Sequence, residues 1–148
     1  MDSRRNSGRT LAAAALALYA LALIYLMLLR RSPYESRALN LVPLRTIGGM
    51  LRYLLDHGPE RTLMRRILVV NLAGNVAAFL PLGFLLPLLW QGLRRWRRTA
   101  LTSAAVVIVL EALQYLTCLG SADVDDLLLN LLGAALGYAA FKPFSKFT

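Results

Sequence analysis

Four long apolar runs constrain this chain more than any other feature. Uncharged stretches near the ~20 residues that cross a bilayer occur at 11–29, 67–90, 100–119 (interrupted by Glu111) and 127–141. The last run is short, but a helix that begins at Val124 reaches about 27 Å. A soluble chain with 57% hydrophobic residues would expose large adhesive patches. We therefore predict one all-α membrane domain over 1–148, a bundle of four transmembrane helices at about 11–29, 67–90, 100–119 and 124–141.

The basic residues predict how this bundle sits in the membrane. The net charge is +9, but arginines flank the apolar runs, which indicates membrane borders and no nucleic-acid partner. Arginines before the first run and at 30–31 after it favour an uncleaved signal anchor. The arginine-rich segment 94–98 favours the cytoplasm, and the acidic third loop lacks Lys and Arg. The arginine pairs at 30–31 and 65–66 argue for the opposite orientation, but short loops follow the charge rule best. We therefore expect both termini to be cytoplasmic.

Between the first two runs, the sequence predicts a short amphipathic helix. Apolar residues recur with the spacing of one helical face, and the segment 57–59 (His-Gly-Pro) then ends the pattern. The residues of this face are Ile47, Met50, Leu51, Leu54 and Leu55. The helix either lies in the membrane interface or serves as a surface-packed linker.

Polar residues inside the runs form stripes at helical spacing. Asn71 and Asn75 share a face of the second span, Glu111 and Gln114 share one on the third, and Asp126 and Asn130 share one on the fourth. Since lipid cannot satisfy amides and carboxylates, we expect these stripes to face the bundle interior.

Several of these residues also fit purely structural roles. Asn71 and Asn75 are typical of interhelical hydrogen bonds, and Gly133 and Gly137 of close helix packing. Asp123 followed by Asp126 resembles a helix-capping box. Capping alone would explain part of the acidic cluster at 123–126.

Glu111 fits a structural role least well. A carboxylate within a hydrocarbon span costs roughly 2.5–3.5 kcal/mol on insertion scales. It requires a proton, a cationic partner or a hydrogen-bond donor, and Arg45 at the mouth of the site or Gln114 on the same face could supply one. His57 and Cys118 are the single histidine and cysteine, and standard catalytic and phosphate-binding motifs are missing. We predict no cofactor and no metal.

Taken together, these motifs resemble the VanZ-like family of small bacterial membrane proteins. The matching segments are 40–45 (NLVPLR), 71–75 (NLAGN) running into 79–83 (FLPLG), 111–114 (EALQ) and 123–130 (DVDDLLLN), followed by Gly133 and Gly137. The resemblance covers about residues 38–140. It implies a cytoplasmic-membrane protein of the cell envelope, with lowered susceptibility to glycopeptides such as teicoplanin in some members. Family members often carry an arginine where this chain has 119–122 (LGSA), so the cationic partner is either missing here or supplied by Arg45.

Three hypotheses remain open at this level. The first is a membrane factor that binds an envelope lipid or a glycopeptide-related surface ligand in an outward polar pocket. The second is an intramembrane enzyme that acts on a lipid-linked phosphate or carbohydrate, with acidic residues holding a divalent cation. The third is a small transporter or assembly partner, and the oligomeric state is left open. The candidate pocket residues are Arg45, Asn71, Asn75, Glu111, Gln114, Asp123, Asp126 and Asn130.

Overall fold

A computed structural model of the chain describes residues 2–26, 39–56, 62–117 and 122–146. Within these ranges the chain is largely helical, as predicted. The helices are α1 (Asp2–Ile24), α2 (Arg45–Asp56), α3 (Thr62–Leu89), α4 (Trp96–Leu116) and α5 (Val124–Phe141). Two-residue strands, β1 (Leu39–Asn40) and β2 (Ala122–Asp123), precede α2 and α5, and 3-10 turns follow α3 and α5 at Gln91–Leu93 and Lys142–Lys146.

Three helical segments are long and apolar enough to cross a membrane, which confirms the membrane prediction in outline. They are Arg65–Leu89, Trp96–Leu116 and Val124–Ser145, with 25, 21 and 22 residues. The apolar part of α1, Thr10–Ile24, is shorter. Part of the predicted first span, 27–29, lies outside the described residues, as does 118–119 of the third.

α1 and α3 run antiparallel. Thr10, in the early part of α1, lines a groove with Trp90 at the end of α3. Farther along α1, the Tyr19 hydroxyl donates a 2.7 Å hydrogen bond to the Ala78 carbonyl oxygen. Leu23 then packs in the core with Phe79.

α3 and α5 run parallel and in unusually close contact. A Cβ at Gly133 would lie 2.1 Å from the Val76 carbonyl oxygen, and one at Gly137 would lie 2.0 Å from that of Leu80. Both distances are too short for any side chain, so the two backbones meet directly at these glycines. The packing interpretation of the Gly133 and Gly137 pair is therefore confirmed.

The core lies among α1, α3 and α4, and the outside of the bundle is apolar. The core cluster consists of Leu23, Phe79, Leu82, Leu86, Val107 and Leu110. Large apolar side chains also cover the exterior, among them Val70 and Leu101, which are 69% and 71% exposed. An apolar exterior of this kind suits contact with lipid chains.

The bundle has two chemically different ends. The arginine end consists of the start of α1, the segment 91–98 and the end of α5, where the Tyr138 hydroxyl donates a 2.6 Å hydrogen bond to the Arg94 carbonyl oxygen. The acidic end consists of β1, α2, the start of α3, the end of α4, β2 and the start of α5, and it also carries arginines on α2 and on the first turn of α3. The candidate site lies at and below the acidic end.

Candidate functional site

The start of α5 is joined to the chain before α2 by a short parallel strand pair. Leu39 pairs with Ala122, and Asn40 pairs with Asp123. Asp123 is the N-cap of α5, and its side chain accepts a 2.9 Å hydrogen bond from the Asp125 backbone N–H. This confirms the capping role predicted for Asp123.

The Asp123 carboxylate also binds side chains from across the strand pair. The Asn40 amide donates to Oδ1 at 3.0 Å, and the Thr46 hydroxyl donates to Oδ2 at 2.5 Å. The carboxylate therefore holds β1 and the first turn of α2 against the start of α5.

Asp125 fixes the N-terminus of α2. Its buried carboxylate accepts backbone N–H hydrogen bonds from Leu44, from Thr46 at 2.9 Å and from Ile47 at 3.1 Å. The first N–H groups of a helix have no partner within the helix, and they present a partial positive charge that favours a carboxylate. Leu44 adopts a positive φ of 61° to turn the chain into α2.

Asp125 was the main residue that sequence reasoning missed, because its neighbour Asp126 had been preferred on grounds of spacing. The signal that could have found it is the need of the predicted α2 for an acceptor at its first turn. Spacing within one helix also does not identify Asn40 and Thr46, because they bind Asp123 from a distant part of the chain. Arg45, the predicted cation, opens α2 and is exposed.

Asp126 and Asn75 form a buried polar pair between α5 and α3. The Asn75 Nδ2 group donates to Asp126 Oδ1 at 2.6 Å, and the two side chains are 9% and 7% exposed. Asp126 therefore bonds to a neighbouring helix. Asn71, one turn earlier on α3, is half-buried.

Glu111 and Gln114 lie on the buried face of α4, as their spacing predicted. They are 8% and 0% exposed, on the same face as the core residues Val107 and Leu110. Glu111 is thus a carboxylate withdrawn from the surface of a membrane-length helix.

Asn130, on α5, is completely buried. Among the residues that the structure describes, neither Nδ2 nor Oδ1 of its amide has a hydrogen-bond partner. Buried amides are nearly always hydrogen-bonded, so this amide marks a place where a polar group or a water molecule would find hydrogen-bond partners. Asn130 follows Asp126 by one helical turn, so its amide lies about 6 Å farther into the bundle.

A pocket of about 310 Å³ opens between β1, α4 and the start of α5. Its lining is mostly apolar, with two carboxylate residues, Glu111 and Asp123. The other lining residues are Leu39, Leu41, Ile108, Ala112, Tyr115, Ala122, Val124 and Leu127. We call it the acidic-end pocket. It has the composition of a site for a molecule with a long apolar part and a small polar group.

The predicted residues are divided among neighbouring environments. Glu111 and Asp123 line the acidic-end pocket, Asn75 bonds to Asp126 behind it, and Gln114 and Asn130 are buried in the helix interfaces. Among the described residues, no three His, Cys, Asp or Glu side chains come together in a way that could hold a metal ion.

Comparison with known proteins adds a family match. The model of the VanZ/LLP1 family matches residues 16–145. Protein VanZ from Enterococcus faecium is 29% identical over 150 residues, which cover 94% of this chain and 78% of that protein. No solved structure matches.

Proposed function

This chain belongs to the VanZ/LLP1 family, and from that premise we propose that it is a bacterial cell-envelope protein that binds an envelope lipid or a surface ligand in the acidic-end pocket. Through that binding it lowers susceptibility to a glycopeptide antibiotic such as teicoplanin. The ligand carries an apolar chain and a polar group with N–H or O–H donors. It is held without a covalent step.

The observation that carries the proposal is the position of Glu111. Glu111 is 8% exposed, and it lines a pocket whose walls are otherwise apolar apart from Asp123. Keeping a carboxylate there costs roughly 2.5–3.5 kcal/mol on insertion scales, which a purely structural helix contact would not require. A donor group on a ligand would bind this carboxylate from the pocket, and the apolar walls would cover the ligand's chain.

The proposed topology has four spans in the cytoplasmic membrane. The antiparallel packing of α1 on α3 supports its role as the additional span, and the apolar part Thr10–Ile24 covers about 22 Å. With the arginine end in the cytoplasm, both termini are inside and the acidic end faces outward. The ligand is then in the outer leaflet or at the outer surface.

In this topology α2 lies in the membrane interface beside the pocket. Its side chains Ile47, Met50 and Leu54 are half-buried, and Leu51 and Leu55 are 51% and 71% exposed. The exposed leucines of α2 and of the preceding segment 39–44 would enter the headgroup boundary. A ligand could pass from the bilayer into the pocket beneath them.

The carboxylate geometry favours binding over metal-assisted catalysis. Asp125 accepts three N–H groups of the α2 start, and Asp126 accepts the Asn75 amide. Asp125 and Asp126 therefore bind different protein partners in different interfaces. They do not come together as the oxygen ligands of one divalent cation, which the enzyme hypothesis requires.

The test is a comparison of wild type with Glu111→Gln. We expect the full chain, purified in native nanodiscs, to retain specific envelope lipids in mass spectra, and E111Q to lose most of them. In cells, E111Q should return the minimum inhibitory concentration of teicoplanin to that of a strain without the protein.

The matched control is Asp56→Asn, which makes the same kind of change at an exposed carboxylate at the end of α2. Size-exclusion profiles and melting temperatures would establish that both variants fold. Unchanged lipid retention and unchanged teicoplanin response in a folded E111Q would disprove the proposal.

A further inference from the structure

The arginine end contains a second concave surface, far from the acidic-end pocket. An open groove of about 970 Å³ lies between the end of α3 and the start of α4. Its lining combines Leu86, Leu89 and Leu101 with Trp90, Arg98 and the turn at Gln91–Leu93. We call it the arginine-end groove.

Polarity in this groove changes along the helix axes. Leu86 is about one turn inside Trp90 on α3, and Leu101 is about one turn inside Arg98 on α4. The polar rim therefore lies at the turn between the helices, and the apolar walls extend toward the middle of the bundle. A phospholipid has the same sequence of polarity, from phosphate to acyl chain.

The groove is strongly positive at its rim. Four arginines lie within five residues at 94–98, whereas the segments 61–110 and 127–148 contain no Asp or Glu. The described carboxylate side chains lie at the acidic end and on α2, away from this rim. The arginines at 95, 97 and 98 thus give this turn a positive potential, which attracts anionic groups at a membrane surface.

Arg98 is held at the rim by the protein itself. Its Nη1 group donates a 3.1 Å hydrogen bond to the Gly92 carbonyl oxygen, which ties the guanidinium to the turn. A guanidinium has five N–H donors in a planar fork, so this bond leaves donors that suit phosphate oxygens.

Tryptophans mark this rim as a membrane surface. Trp90 and Trp96 are the two tryptophans of the chain, and they are 50% and 43% exposed. Trp96 packs on Tyr138 with ring centroids 5.2 Å apart. Aromatic rings of this kind gather where headgroups meet hydrocarbon.

We propose that the arginine-end groove binds an anionic phospholipid of the adjoining leaflet, with its phosphate at Arg98 and the Gln91–Leu93 turn and an acyl chain along Leu86, Leu89 and Leu101. The positive charge of the rim favours an anionic over a zwitterionic headgroup. Free phosphate would leave the apolar walls uncovered. The site is independent of the function proposed for the acidic-end pocket.

The tryptophans provide the test. In a Trp96→Phe background, Trp90 is the single indole and lines the groove. The full chain is reconstituted in nanodiscs of zwitterionic phosphatidylcholine, and Trp90 fluorescence is measured as phosphatidylglycerol or phosphatidylcholine with brominated acyl chains is added at equal mole fractions. We expect quenching to show about a fivefold preference for phosphatidylglycerol, the factor that corresponds to roughly one arginine interaction with an anionic surface.

Arg98→Gln should reduce this preference to about one, because it removes both the positive charge and the planar set of guanidinium N–H donors. The matched control is Arg52→Gln, which removes an exposed arginine on α2 and should retain the full preference. Equal quenching by the two lipids in the parent protein would overturn the proposal, even if Arg98→Gln fails to fold. So would a folded Arg98→Gln that keeps the preference, or an Arg52→Gln that loses as much of it.

Discussion

The acidic and arginine ends treat their charges in opposite ways. At the acidic end, Asp123 and Asp125 are satisfied by N–H and O–H donors from β1 and α2. At the arginine end, four arginines lie within 94–98, where the neighbouring sequence offers no carboxylate. The first arrangement holds β1 and α2 against α5, and the second concentrates positive charge in the turn between two membrane-length helices.

This difference separates structural carboxylates from the candidate functional one. The carboxylates that act as anchors lie at the first turn of α5, where helix ends and strand pairs supply donors. Glu111 is instead in the interior of α4, where it lines the acidic-end pocket. Burial alone would therefore be a poor guide to function, because Asp125 is also buried and anchors α2.

The largest effect is expected where α3 and α5 meet, because this contact joins both ends. Gly133→Ala would bring a methyl group to 2.1 Å from the Val76 carbonyl oxygen, so the helices must separate. We expect a loss of about 3 kcal/mol in the free energy of unfolding, measured by denaturant titration in detergent micelles.

The control for this change is Gly74→Ala on α3, where an added Cβ meets nothing within 4 Å. It should leave stability unchanged or raise it slightly, since alanine favours a helix. Equal stability of the two variants would mean that the close α3 and α5 contact does not support the bundle.

Much of this architecture could be predicted from the sequence, because it depends on periodicity. The spacing of Gly133 and Gly137 predicted close packing, and the stripes correctly assigned Glu111, Gln114 and Asn130 to buried faces. The lipid-facing exterior followed from the apolar runs. These are properties of single helices, which a repeat of 3.6 residues encodes directly.

The acidic end was harder to predict, because its contacts join distant parts of the chain. Asp125 binds N–H groups some 80 residues earlier, and β1 pairs with β2 over only two residues each. A strand of two residues is too short to show an alternation of apolar and polar residues. Helical spacing, in turn, does not reveal which carboxylate will contact the first turn of another helix. Helical spacing likewise places Asp126 on an inward stripe but cannot identify Asn75 on α3 as its partner.

The next largest effect is expected at this anchor. Asp125→Asn removes the charge and one of two acceptor oxygens from the first turn of α2. We expect a loss of about 2 kcal/mol, in line with hydrogen bonds to a charged group. Hydrogen–deuterium exchange should accelerate at the amides of Leu44, Thr46 and Ile47.

Asp56→Asn, at the exposed end of the same helix, should leave the exchange of these amides unchanged and should not lower stability, because a carboxylate at a helix C-terminus is unfavourable to the dipole. If Asp125→Asn left the exchange of these three amides unchanged, the acidic end would not be anchored by its carboxylates. The contrast between the two ends would then fail.

The smallest effect is expected at the arginine end, and it has the opposite sign. Arg95 occupies the N-cap of α4 with extended backbone angles and makes no side-chain cap hydrogen bond. A positive charge there is unfavourable to the helix dipole, whereas aspartate is among the preferred N-cap residues. Arg95→Asp should therefore raise the free energy of unfolding in neutral detergent by about 1 kcal/mol, and Arg95→Gln by less. A loss of stability in Arg95→Asp would mean that the arginines serve the fold. A gain would mean that the chain keeps them at a cost to α4, as expected of charge that serves the membrane.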